Sequence, residues 1–245
     1  MPTVEVVAGF SLLNRWLLYT SVMLAPAQFV SGLGSYWPTS IGFLAYNYYT
    51  QIAWYHAIER LELHALSLLT PNFNIIYLVS YLGGISSGTM YLEAPLGVGT
   101  AGVLLLNTVS AWKSWALCMP QGYRVYEFFF FGWRRLTPGW HRFFGVWQAS
   151  DSSLTLAAAI LAVVIPLILN NNDDRLPWWF THAALIPGAV VMLVYSFQLI
   201  LWTELIVQRN NIVSPTDWIA VWLFVAQIGA CFLPPLIHSF PPLRE

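Results

Sequence analysis

The sequence predicts an all-α integral membrane protein, a polytopic bundle of about seven transmembrane helices, and three observations predict it. Hydrophobic residues make up 58% of the 245 positions and charged residues only 9%. Mean hydropathy is +0.61. Between Arg15 and Glu59 the chain runs 43 residues without an Asp, Glu, Lys or Arg, and each membrane-crossing helix needs about 20 apolar residues. That composition places the chain in the membrane class, as one transmembrane bundle over 1–245. Which membrane, the sequence does not say.

The spans are expected where Pro, Gly and charge leave uninterrupted apolar runs. The first, 9–31, has no basic leader or small-residue cleavage site before it and is expected to remain as a signal anchor. It ends at Gly32-Leu33-Gly34. The second, 38–58, begins at Pro38, and six crossings remain if it is re-entrant instead. Thr70-Pro71-Asn72 precedes a third span at 73–92, and a fourth follows at 95–118. The segment 120–150 interleaves Phe128-Phe129-Phe130-Phe131, Trp133, Trp140, Phe143 and Phe144 with Arg134, Arg135, His141 and Arg142. It is expected on the cytoplasmic face, rings in the acyl boundary and cations toward headgroups. A fifth span at 153–170 ends in the polar loop 170–175. The sixth lies at 177–207 and the seventh at 217–238, with Ser214 or Asp217 as its N-cap.

Cations set the orientation. With seven crossings Arg15, Arg60, Lys113, Arg124, Arg134, Arg135, Arg142 and Arg209 share one side, against Arg175 and Arg244 on the other. Positive charge gathers on the cytoplasmic side, so the N-terminus is expected cytoplasmic and the C-terminus extracytoplasmic. Cys118 and Cys231 support neither a disulfide framework nor a cysteine metal site. No metal and no cofactor is called for. His182 and His238 would be the pair for a bis-histidine haem, against the simpler reading of two polar residues near the outer surface.

Four groups of residues carry chemistry. Gly97-Val98-Gly99-Thr100-Ala101-Gly102 spells a dinucleotide fingerprint, which needs a strand before it and an exposed helix N-terminus after it. Inside an apolar helix the same glycines let two backbones approach closely, together with Gly83, Gly84 and Gly88, and that is the expected role. Around the second helix end, His56, Arg60 and His64 share a helical face with Glu59 on its flank. Glu59 is a candidate acid or base and His56 its tuning partner, against a plain solvated helix end. Glu204 is the second candidate acid, placed five residues before Arg209 in a long apolar run. Arg134, Arg135 and Arg142 are candidates for a headgroup or phosphate site. The aromatic-basic alternation is not read as a nucleic-acid surface.

Gly42 through Tyr55, GFLAYNYYTQIAWY, resembles the second-helix region of the small fungal integral-membrane terpene cyclases. The resemblance covers 14 residues and rests on Gly42 and Ile52-Ala53-Trp54. It implies a multi-span protein that protonates an epoxide or olefin of a prenylated substrate. That family's catalytic Glu follows the Trp, where this chain has Tyr55, and Gln51 replaces its polar residue before Ile-Ala. Glu59, one turn later, would then have to act as the acid. The expected topology is also similar to that of the third subunit of cytochrome oxidase, without its Glu and His patterns.

Taken together, these features lead to a membrane-embedded enzyme acting on a lipid or isoprenoid-like substrate by acid-base chemistry, of a cyclase, isomerase or lipid-modifying kind. Its partners would be membrane lipids, a hydrophobic small-molecule substrate and neighbouring membrane proteins. Glu59, Glu204 and His56 would be catalytic, and Arg134, Arg135 and Arg142 would bind substrate. The alternative is a non-catalytic subunit of a larger membrane complex, such as a respiratory one. A small-molecule transporter stands third, because mid-span charge and internal repeats are scarce.

Overall fold

The computed structural model describes residues 4–31, 37–61, 65–69, 90–169 and 178–230. Six helices dominate them: α1 (Leu12–Ser31), α2 (Trp37–Glu59), α3 (Met90–Leu117), α4 (Pro138–Leu169), α5 (Trp178–Arg209) and α6 (Trp218–Ala230). Local sequence explains their ends. Ser11 caps α1, its Oγ accepting the Asn14 N–H at 3.3 Å. Thr137 does the same for Trp140 at 3.4 Å in front of Pro138, the first residue of α4, where proline's missing N–H costs nothing. Asp217 caps α6, with Oδ1 accepting from Ile219 and Ala220 at 3.0 and 3.1 Å. At the end of α5, Asn210 Nδ2 donates to the Ile206 carbonyl at 2.8 Å, and Asn211 turns the chain with a φ of 48°.

No described helix is long and apolar enough to cross a membrane. The expected seven-span polytopic bundle is therefore not supported, and the multi-pass placement and the sidedness built on it go with it. The physical reason lies in how the apolar content is distributed. Polar residues recur inside the helices: Asn14 and Arg15 in α1, Asn47, Gln51 and Glu59 in α2, Asn107, Ser110 and Lys113 in α3, Gln148 and Asp151 in α4, Glu204 and Arg209 in α5. The described part of α6 has 13 residues. Nearly all of the span expected at 73–92, the loop 170–175 and the end of the span expected at 217–238 lie outside the described residues, as do Gly83, Gly84, Gly88 and His238.

The helices pack as neighbours. α3 runs along α4, α2 lies between α3 and α6, and α1 rests on α5. The main core gathers Ile58, Leu66, Leu68, Leu104, Met119, Phe128, Leu136 and Ile206. Several polar residues are buried too, among them Asn47, Gln51, Asn107, Gln148 and Asp151. Two short 3-10 helices, Leu66–Leu68 and Met119–Gly122, and four short strands complete the described structure. β1 (Val4–Glu5) pairs in parallel with β4 (Ile212–Val213), Val4 opposite Ile212. β2 (Glu127–Phe129) and β3 (Trp133–Arg135) form an antiparallel hairpin, Glu127 opposite Arg135.

The glycine run belongs to this packing. Gly97 to Gly102 lies inside α3, with no strand leading into it. A Cβ at Gly99 would stand 3.0 Å from Leu44 Cδ1, and one at Gly102 would overlap the Tyr48 hydroxyl. Tyr48 Oη in turn donates to the Gly99 carbonyl at 2.6 Å. Burial pushes the Tyr48 phenol above its ordinary pKa, so it stays a donor.

Candidate functional site

Residues Leu12, Trp16, Tyr19, Thr20 and Met23 fall on one face of α1 by the 3.6-residue repeat. Ile200 and Glu204, one turn apart on α5, face them. Together they line a pocket of about 520 Å³, within the ~300–1,000 Å³ range usual for small-molecule sites. Its walls are mostly apolar, the polar side chains being Tyr19, Thr20 and Glu204. Arg15 Nε donates to Glu204 Oε1 at 2.8 Å, and Tyr19 Oη donates to the same oxygen at 2.6 Å. Arg15 is itself fixed by Nη1 donating to the Phe10 carbonyl at 2.8 Å. Tyr19 is pushed well above the ordinary phenol range, by burial first and then by its bond to Glu204 and that residue's charge. It stays a neutral donor.

This arrangement leaves one acceptor unused. Glu204 Oε1 takes two hydrogen bonds, while Oε2 takes none among the described residues. The carboxylate side chain is 26% exposed and lines the pocket. An ion-paired carboxylate that lines an apolar pocket and has one oxygen unused among the described residues is suited to accept a proton or a hydrogen bond from a bound molecule.

The structure separates the two candidate acids. Glu59, at the end of α2, is half exposed and accepts from Lys113 Nζ at 2.7 Å. The hydrogen bond and charge of Lys113, with a smaller contribution from His56, hold the Glu59 carboxyl below its ordinary range. Lys113 also sits 4.2 Å from the centre of the Tyr55 ring. His56 Nδ1 is 3.7 Å from Glu59 Oε2 and largely exposed. The group ties the end of α2 to α3, and no described interaction joins it to Glu204. Among the described residues no cluster of three His, Cys, Asp or Glu is placed to hold a metal ion.

The three candidate arginines part company as well. Arg135 Nε pairs with Glu127 Oε1 at 3.0 Å, opposite Arg209 Nε on Oε2 at 2.6 Å. The hydrogen bonds from Arg135 and Arg209 lower the Glu127 carboxyl below its ordinary range. Asn210 completes the clamp from α5. Its Oδ1 accepts the Glu127 N–H and its Nδ2 donates to the Glu127 carbonyl, both at 2.8 Å. Arg134 and Arg142 are exposed and make no ion pair among the described residues.

Sequence reasoning missed this clamp, and it missed the pairing of Arg15 with Glu204. The sole acidic residue in an arginine-rich stretch was the available signal for Glu127. Nothing in spacing announces a bond between positions 189 apart. Comparison with protein-family models, with curated proteins and with solved structures finds no match, so the terpene-cyclase resemblance stands on its 14 residues alone.

Proposed function

We propose that the chain is an enzyme acting on a lipid or isoprenoid-like small molecule by acid-base chemistry at Glu204. The observation that carries this reading is the free Oε2 of an ion-paired carboxylate lining an apolar pocket of about 520 Å³. The apolar body of a substrate would lie against Leu12, Trp16, Met23 and Ile200, and burying it supplies the binding energy. Glu204, held in its pair with Arg15, acts as the base. Arg15 and Tyr19 hold its other oxygen, which fixes the carboxylate plane. A proton taken from the substrate goes to Oε2.

The test uses farnesal, an isoprenoid aldehyde with acidic carbon-bound hydrogens, in deuterated water. Mass spectrometry is expected to show deuterium entering farnesal faster with the protein than in buffer. Glu204→Gln keeps the shape and removes the base, and the enzyme-dependent rate is expected to fall by ~10²-fold or more. Equal rates for the two proteins overturn the proposal.

A second reading, a non-catalytic subunit of a larger complex, is favoured by one observation. On α5, Val190, Leu193, Val194, Phe197 and Leu201 are all exposed and recur at helical spacing as one apolar stripe. That reading expects stoichiometric partner chains on native purification and no farnesal exchange.

A further inference from the structure

The geometry points to the β2–β3 hairpin as a contact for an anionic lipid surface, with the Phe131 ring entering the acyl boundary and Arg134 and Arg142 meeting the headgroups. The contact is made from outside and asks no helix to cross the bilayer. It also stands independently of the Glu204 pocket.

The hairpin displays an aromatic ring at a conformational cost. Phe131 is 91% exposed and its φ is 48°, a left-handed conformation that bulky side chains rarely adopt. Asn or Gly is the ordinary choice at such a turn. Here Gly132, with a φ of 132°, follows the Phe, and the Phe130 N–H closes the loop onto the Gly132 carbonyl at 2.8 Å. Hydrophobic exposure and left-handed backbone coincide at Phe131, far more fully than at Leu61, which shares the positive φ but is about half as exposed.

The base beneath the tip is rigid. Phe128 is fully buried and packs edge-on against Trp140 and Phe144, at centroid distances of 5.2 and 5.1 Å. Phe130 packs against Trp140 and Phe143. The Glu127 clamp fixes the first strand to α5. A ring held on such a base loses little further freedom on insertion.

Charge selects the surface. Arg124, Arg134 and Arg142 are exposed and have no carboxylate partner among the described residues, while Glu127, the single acidic residue of the segment, is taken by Arg135 and Arg209. Exposed aromatic rings flanked by uncompensated cations match the acyl boundary and phosphate layer of an anionic leaflet. A neutral leaflet offers the rings the same boundary but presents the arginines with no net negative surface.

Flotation of the full chain with phosphatidylcholine vesicles, and with phosphatidylcholine containing phosphatidylserine, tests the assignment. The chain is expected to partition more strongly onto the serine-lipid vesicles, with the difference shrinking as salt rises. The pair Arg134→Gln and Arg142→Gln is expected to weaken that partitioning by about thirtyfold. Phe131→Asn is expected to weaken it by about tenfold while its Tm rises by roughly 2 °C, because Asn tolerates the left-handed backbone. A more stable variant that binds lipid worse cannot be explained by misfolding. Equal partitioning onto both vesicle types, binding to neither, or unchanged binding by these variants overturns the assignment.

Discussion

Replacing Glu127 by Gln removes a charge from a carboxyl whose side chain is only 6% exposed and whose two oxygens each hold an arginine, at 3.0 and 2.6 Å. The size of the effect turns on the arginines. Their side chains are 71% and 46% exposed, so water re-solvates both once the carboxylate is gone. The full penalty of breaking a buried pair, about 3–5 kcal/mol, therefore does not apply. Two partly solvated pairs at ~0.2–1 kcal/mol each, with a modest loss for weakened charge-assisted hydrogen bonds, bring the expected cost to about 1–2 kcal/mol. The Asn210 bonds are to the Glu127 backbone and survive. For a chain of this size that is a fall in Tm of roughly 2–8 °C, read by circular dichroism at neutral pH. The pH dependence supplies the control. Arg135 and Arg209 hold the folded carboxyl below its ordinary 4.5, so its stabilisation is complete above that pH and is lost as pH falls through the folded value. The wild-type advantage should shrink steadily below about pH 4.5. A Tm difference under about 1 °C at neutral pH, or one that persists undiminished in acid, would refute the reasoning.

Four further outcomes are expected. Gly102→Ala, whose Cβ would overlap the Tyr48 hydroxyl, should cost ~1–3 kcal/mol by chemical denaturation; the cost should be smaller in a Tyr48→Phe background, where the obstructing oxygen is gone. Asp217→Ala removes the α6 cap and the acceptor of Tyr49 and should destabilise by ~0.5–2 kcal/mol. The Tyr49 phenol, pushed up to about 12 by burial and by Asp217, should titrate closer to its ordinary 10 in Asp217→Asn, as ultraviolet absorbance would show. Finally, Glu59→Gln should leave farnesal exchange at the wild-type rate while Glu204→Gln lowers it by ~10²-fold or more; an equal loss in both would reunite two residues that the fold keeps in separate neighbourhoods.

Helices were legible in the sequence because apolar runs broken by Gly and Pro mark them whatever medium surrounds them. The medium was not legible. Hydropathy counts residues along the chain and is blind to the face on which each one lies. Asn47, Gln51, Asn107, Gln148 and Asp151 are buried, whereas Trp16, Val109, Phe197, Trp218 and Trp222 are exposed, a distribution that no running average contains. The same limit governs the site. Glu204 was picked out because an acid in an apolar run is unusual, but its partners Arg15 and Tyr19 come from α1, and only folding brings α1 against α5. Glu59 was the other candidate acid, read against a solvated helix end, and its pairing with Lys113, 54 positions away, was as invisible along the chain as that of Glu204. The 120–150 segment read as one aromatic-basic stretch, yet it divides into a hairpin pinned by Glu127 and the first turns of α4, a division that depends on Thr137 and Pro138 more than on any ring or cation.

The pairing of β1 with β4 has a consequence in time. Val4 and Val6 donate to the carbonyls of Asn211 and Val213, the Phe10 N–H reaches Ser214 Oγ across 204 positions, and Asn14 exchanges hydrogen bonds with the Asp217 backbone. Residues 4–14 thus wait for partners made about 200 positions later. At ~5–20 residues per second on the ribosome that wait is roughly 10–40 s, during which α1 has neither its Glu204 partner nor the connector before α6. Until then Arg15, the pocket face of α1 and the first strand are open to whatever else they meet, so the pairing of β1 with β4 is also the step at which a chaperone, or an aggregate, competes for them.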